Sequence, residues 1–259
     1  MKNKYSLVAC MILLSFLLVC QGSSLTKDFY RHSCPQAADI IKNKTLQHVT
    51  ANPVLPAKLL RMHFHDCFVR FDKPMWEVLT GRRDGTVSKS SEALANIPGP
   101  NFNFTQLIQN FASKGLTLHD LVVLSGAHTI GIGHCNAFSN RLYNFTGKGD
   151  QDPSLNSTYA AFLKTKCKSL SDNTTRVEMD PGSSRTFDSD YYPNLLQKKG
   201  LFQSDAALLT QDQSTGIVEE LVNQNKFFTE FAQSMKRMGA VDILTGSAGE
   251  IRIKCSIVN

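Results

Sequence analysis

Arg61-Met62-His63-Phe64-His65-Asp66-Cys67 is the stretch on which the reading turns. On a helix, residues four apart stand one above the other, so Arg61 and His65 share a face and set a fixed cation beside a proton carrier. That pairing suits cleavage of a bond that builds negative charge as it breaks. His63 and His65 lie only two apart and leave a helix on different sides, which makes them poor partners in a shared metal site. A second centre, Ser125-Gly126-Ala127-His128-Thr129-Ile130-Gly131, places His128 seven residues after Leu121 on an apolar, buried helical face. By spacing alone that histidine is a core residue first and a metal ligand second.

The chain has 259 residues and a formal net charge of +6. Lys2 and Lys4 precede an apolar run from Leu7 to Val19, broken only by Ser15, and then Gly22, Ser23 and Ser24. This is the pattern of a cleaved secretory signal over residues 1–24, leaving a mature domain over 25–259. No later segment is apolar for long enough to cross a membrane, so no membrane span is expected in the mature chain. Five Asn-x-Ser/Thr sequons, at Asn43, Asn103, Asn144, Asn156 and Asn173, agree with passage through a glycosylating compartment. The expected location is therefore extracellular. Without Lys2 and Lys4 the charge falls to +4, and no clustered Lys/Arg run argues for nucleic acid. Cys10 and Cys20 fall in the signal, which leaves Cys34, Cys67, Cys135, Cys167 and Cys255. An odd number leaves at least one thiol without a partner in the same chain.

Local patterns predict a mostly helical (mostly α) single domain. Ala37, Ile40, Ile41 and Val49 suit one helical face, with Pro53 as the stop, and a second helix covers Pro56 to Phe68. A third runs from Phe104 to Ala112, after the sharp Pro98-Gly99-Pro100 loop. Thr117-x-x-Asp120 is a capping box that opens a helix running to His128. Further helices are read at Thr158–Leu170, Ser189–Lys198, Gly216–Asn223 and Lys226–Met238. The strand signal is scarce and falls mainly at Glu250–Cys255.

Taken together, Leu60–Val69, Gly81-Arg82-Arg83-Asp84, Leu124–Gly131 and Gly200-Leu201-Phe202-Gln203-Ser204-Asp205 resemble the secretory (class III) plant haem peroxidases. The likeness runs in order through almost the whole mature chain, with Phe29-Tyr30 and Ser33-Cys34-Pro35 near its start and Arg252-x-x-Cys255 near its end. The resemblance implies haem b on one iron, with His128 as axial ligand and Asp205 accepting a hydrogen bond from its other ring nitrogen. It implies His65 and Arg61 as the catalytic pair, Phe64 as a wall of the haem pocket and Pro98 at the edge where aromatic donors approach. Hydrogen peroxide and small phenolic donors are the implied substrates, and a monomer the implied state. Two calcium ions are also implied. The proximal one is carried over onto Thr129, Asp180, Ser183, the Thr186 carbonyl and Asp188, and the distal one retains only Asp66 and the Val69 carbonyl. By the same likeness Cys135 pairs with Cys167.

After Val69 the family pattern breaks. Arg70-Phe71-Asp72-Lys73-Pro74-Met75 leads straight to the Gly81-Arg82-Arg83-Asp84 motif, so a segment on the order of sixty residues, several ordinary helices, is missing between about 70 and 76. With it go the remaining distal calcium ligands, the residue that orients His65, and the family's partners for Cys34, Cys67 and Cys255. The fold is thus expected to be a haem peroxidase fold incomplete on its distal side. The function is expected to be peroxide reduction coupled to one-electron oxidation of phenols, in cell-wall metabolism and oxidative stress. The alternative is a weakly active or inactive secreted pseudoperoxidase.

Overall fold

In the computed structural model, residues 25–66 and 78–259 are described, the side chains of 63–66 excepted. The expected signal (1–24), Cys67, Val69 and the junction at 70–76 lie outside the described residues. The chain forms two compact groups, one from 25–41, 78–92 and 242–259, the other from 42–66 and 93–241.

The smaller group is held by isolated bridges instead of a sheet. Thr26 pairs with Thr80, Arg83 with Leu244 and Asp84 with Glu250. The strand expected over Glu250–Cys255 reduces to that last bridge, because from Ile251 onward side-chain contacts replace a backbone ladder. Arg252 donates to the carbonyls of Gly85 and Cys255, and its amide donates to Asp84. Cys34 and Cys255 are unpaired and exposed.

In chain order the helices are α1 (Ala37–Ala51), α2 (Leu55–Asp66), α3 (Ser90–Asn96), α4 (Phe104–Ser113), α5 (Leu118–Ser125), α6 (Ser139–Tyr143), α7 (Ser157–Lys166), α8 (Tyr191–Leu196), α9 (Gln203–Ala207), α10 (Asp212–Leu221) and α11 (Gln224–Met238). Among the described residues, none is long and apolar enough to cross a membrane. A short antiparallel pair, β1 (Ile132–His134) and β2 (Arg176–Glu178), joins with Gly133 opposite Val177. Three residues each are too few to produce a readable alternation.

α5 is the axis of the larger group. Its Leu121-Val122-Val123-Leu124 run is buried all round, as expected of a helix apolar on every face. α4, α10 and α11 pack on it, and Phe227, Phe231 and Met235 of α11 and Val218 and Leu221 of α10 complete the core with Leu60 of α2. The expected capping box is present: Thr117 Oγ1 accepts from the Asp120 amide and Asp120 accepts from the Thr117 amide. Asp120, fully buried, also takes a 2.7 Å ion pair from Arg237 of α11. A second cluster gathers Phe138, Leu142, Tyr159, Leu163, Leu201 and Phe202 around the Cys135–Cys167 disulfide, the pairing the resemblance implied.

One boundary differs from expectation in a way that matters for the site. The helix opened by Thr117 ends at Ser125, and a 3₁₀ turn over Gly126–Thr129 carries His128. A Cβ on Gly126 would collide with Tyr192 Oη and come within 2.6 Å of Phe227, so the chain passes there only as glycine. The tighter turn rotates His128 off the buried stripe, leaving its side chain 32 % exposed toward a cavity.

Candidate active site

The cavity has a volume of about 1140 Å³ and lies wholly within the larger group. It is larger than most small-molecule clefts, which run to about 1,000 Å³. Leu60, Leu107, Phe111, Leu124 and Ile130 give it an apolar lining, and His128 and Arg61 bring polar groups to it.

His128 is held from behind. Its Nδ1 lies 2.8 Å from Asp205 Oδ1, which fixes the proton on Nδ1 and leaves Nε2 as the nitrogen for a ligand. Asp205 is almost fully buried, at the third residue of α9. Burial opposes its ionisation, but His128, the Phe202 amide and the Tyr191 hydroxyl outweigh burial and hold the carboxyl below the usual range. The Phe202 amide donates to Oδ2 at 2.8 Å, and Tyr191 Oη donates to Oδ1 at 3.0 Å. The Phe202 ring stands edge-on to the imidazole at 5.2 Å. Gly200 allows the close approach, since a Cβ there would come within 2.7 Å of the Asp205 Cβ.

The loop leading to Asp205 is pinned by Arg141. This guanidinium is 1 % exposed, pairs with Asp152 at 2.7 Å, and donates to the consecutive carbonyls of Gly200, Leu201 and Phe202. A single buried cation thereby satisfies three carbonyls and a carboxylate, as a buried charge requires. Neither Arg141 nor Tyr191 stood out in the sequence, because their partners lie 11 to 61 residues away.

On the other side of the His128 turn, Thr129 meets two of the other residues expected to hold a proximal cation, Asp180 and Asp188. Its Oγ1 lies 2.9 Å from Asp180 Oδ2 and 2.9 Å from Asp188 Oδ1. One hydroxyl proton can serve only one of those oxygens at a time, which leaves two carboxylates facing each other across a single donor. Ser183 Oγ donates to Asp188 Oδ2, and the Thr186 amide donates to the Ser183 carbonyl and closes the turn. Asn194, unforeseen in the sequence, donates to Asp180 Oδ1 at 2.6 Å. Burial first, then the charges of Asp188 and Asp190, push the Asp180 carboxyl up to about 6. Such an oxygen-rich, under-neutralised pocket suits a hard cation. Among the described residues no three His, Cys, Asp or Glu side chains converge. A cation here would therefore be shared between two carboxylates and neutral oxygens.

On the remaining walls, Arg61 of α2 and Pro98 both line the cavity. His65, Phe64 and Asp66 fall in the last turn of α2, and their side chains, like Val69, are outside what is described.

A family model described as "Peroxidase" matches residues 69–224. "Peroxidase 3" of Arabidopsis thaliana is 42% identical, over 98% of this chain and 99% of its own length. The chain belongs to the peroxidase family. "Peroxidase 39" of the same plant is 41% identical over 99% of this chain and all of its own length, and "Peroxidase 1" of Oryza sativa subsp. japonica 38% identical over 97% and 98%. The alignment with Peroxidase 3 runs over 322 positions against a 259-residue chain, so at least 63 positions (322 − 259) of that peroxidase face no residue here. The mostly helical architecture is that of the plant peroxidases, and His128 and Asp205 sit within the matched region.

Proposed function

We propose that this peroxidase reduces hydrogen peroxide to water and oxidises phenolic donors in one-electron steps, with haem b held in the cavity by His128. The supporting observation is the His128–Asp205 pair, an imidazole whose Nδ1 is bonded to a buried carboxylate and whose ring lines a large apolar cavity. Haem, when bound, supplies an iron that can exchange electrons with peroxide and with the donor. The residues supply the rest. Asp205 draws on the Nδ1 proton and makes Nε2 a stronger donor toward a metal. His65 takes the proton from the attacking peroxide oxygen and returns it to the leaving one, while Arg61 stabilises the charge that develops between them. By the family resemblance Phe64 would wall the pocket, and Pro98, which lines the cavity, would stand where an aromatic donor enters.

A calcium ion at Thr129, Asp180, Ser183, the Thr186 carbonyl and Asp188 would neutralise the facing carboxylates and tie the 180–188 loop to the turn bearing His128. Asp66 and Val69 remain as a remnant of a second site. The Cys135–Cys167 bridge, the sequons and the leader pattern support secretion of the domain over 25–259, and the family resemblance supports a monomer at the cell wall. The reading as an inactive pseudoperoxidase is not favoured, since relatives named as peroxidases match through nearly the whole chain.

Reconstitution of the mature chain with haem and calcium tests this directly. A Soret band that His128→Ala weakens, and peroxide-dependent oxidation of a phenolic dye that His65→Ala abolishes, are the expected results. A wild-type protein that takes up no haem would overturn the reading.

A further inference from the structure

Asp205 Oδ1 accepts two hydrogen bonds, one from His128 Nδ1 at 2.8 Å and one from Tyr191 Oη at 3.0 Å. The second has no part in the function proposed above. We propose that Tyr191 is a positioning residue that limits how much charge Asp205 passes to His128, and so sets the electron-donating strength of the imidazole toward bound iron. This rests on the reading of His128 as axial ligand.

The argument is one of shared charge. A carboxylate oxygen that serves two donors gives less of its negative charge to each than it would give to one. The proton on Nδ1 is held less strongly, the imidazole keeps less anionic character, and Nε2 donates less to a metal. Tyr191 is built for a constant contribution of this kind. Its side chain is 3 % exposed and its ring is fixed edge-on to both His128, at 6.0 Å, and Tyr192, at 5.1 Å. Its hydroxyl is shut away from solvent and donates to the carboxylate at 3.0 Å, so it stands as a fixed donor. The other carboxylate oxygen is occupied by the Phe202 amide, which no side-chain substitution removes. Tyr191 is therefore the adjustable donor of the three.

Tyr191→Phe removes this hydroxyl and keeps the ring. In the haem-loaded ferrous protein the iron–imidazole stretching band should move to higher frequency, and the ferric/ferrous midpoint potential should fall. Replacing Tyr191 by a fluorinated tyrosine, whose phenol is a stronger donor, should move both in the opposite direction. Tyr192→Phe is the control. It removes a phenol buried as deeply, which bonds the Val122 and Val123 carbonyls and not Asp205, and it should leave band and potential in place. An unchanged band and potential in Tyr191→Phe, or an equal shift in Tyr192→Phe, would overturn the inference while leaving the ligand assignment intact. An iron–imidazole band that survives His128→Ala would overturn the ligand assignment itself, and this inference with it.

Discussion

At the scale of single residues, the site depends on atoms with no room to change. Asp205→Asn keeps the volume but replaces one carboxylate oxygen by an NH₂ group, which must face either the Phe202 amide or the two donors on Oδ1. A buried donor set against a donor costs about 1–3 kcal/mol, so urea denaturation of the variant should show a loss of that size. Gly126→Ala drives a methyl into the rings of Tyr192 and Phe227. Overpacking of a tight core typically costs about 1–3 kcal/mol, and because the strain falls two residues before His128, haem retention should drop with stability. His128 and Asp205 were legible because each sits in a short, distinctive motif. Tyr191, Asn194 and Arg141 were not, since a tyrosine before a second tyrosine, an asparagine or an arginine on a short helix acquires meaning only when distant chain folds against it.

At the scale of elements, the start of α5 couples local and tertiary structure. Thr117 and Asp120 cap the helix, and Arg237 of α11 closes on the same carboxylate. Thr117→Ala should cost about 0.5–2 kcal/mol, the usual range for a lost N-cap, read as a lowered denaturation midpoint. Burial of Asp120 opposes its charge, but the Thr117 amide, Arg237 and the hydroxyls of Thr117 and Ser234 outweigh it and lower its pKa. A carboxyl with a lowered folded-state pKa binds its proton more weakly in the folded chain than in the unfolded one. Its contribution is therefore complete above the unfolded value near 3.8 and is lost as pH falls through the lower folded value. Asp120→Asn should flatten the acid limb of the stability profile in that window, measured by denaturant titration at successive pH values. The capping box was readable because its four residues are contiguous. The end of α5 was not, because it is set by the collision of position 126 with aromatic rings 66 and 101 residues away. Strands β1 and β2 escaped notice for a different reason, as a three-residue ladder is defined by its partner.

At the scale of the whole molecule, the cysteines report how the chain is closed. The Cys135–Cys167 bridge closes a span of 32 residues, worth about 3–4 kcal/mol by loop entropy, so Cys135→Ser with Cys167→Ser should lower the unfolding midpoint accordingly. Alkylation of the folded protein, followed by peptide mapping, should label Cys34 and Cys255 and spare Cys135 and Cys167. Family membership and helical class were legible from motifs strung along the entire chain, whereas the packing of one motif against another was not. The Arg141 clamp illustrates the difference. Because a single guanidinium grips Asp152 on one side and the carbonyls of residues 200–202 on the other, the disulfide-closed cluster and the anchor of the His128 carboxylate are mechanically one body. Damage that loosens the bridge, such as exposure to a reductant, should therefore be felt at the His128 imidazole, a lesion remote from the cavity that nonetheless reads out as a slackened hold on the ring that lines it.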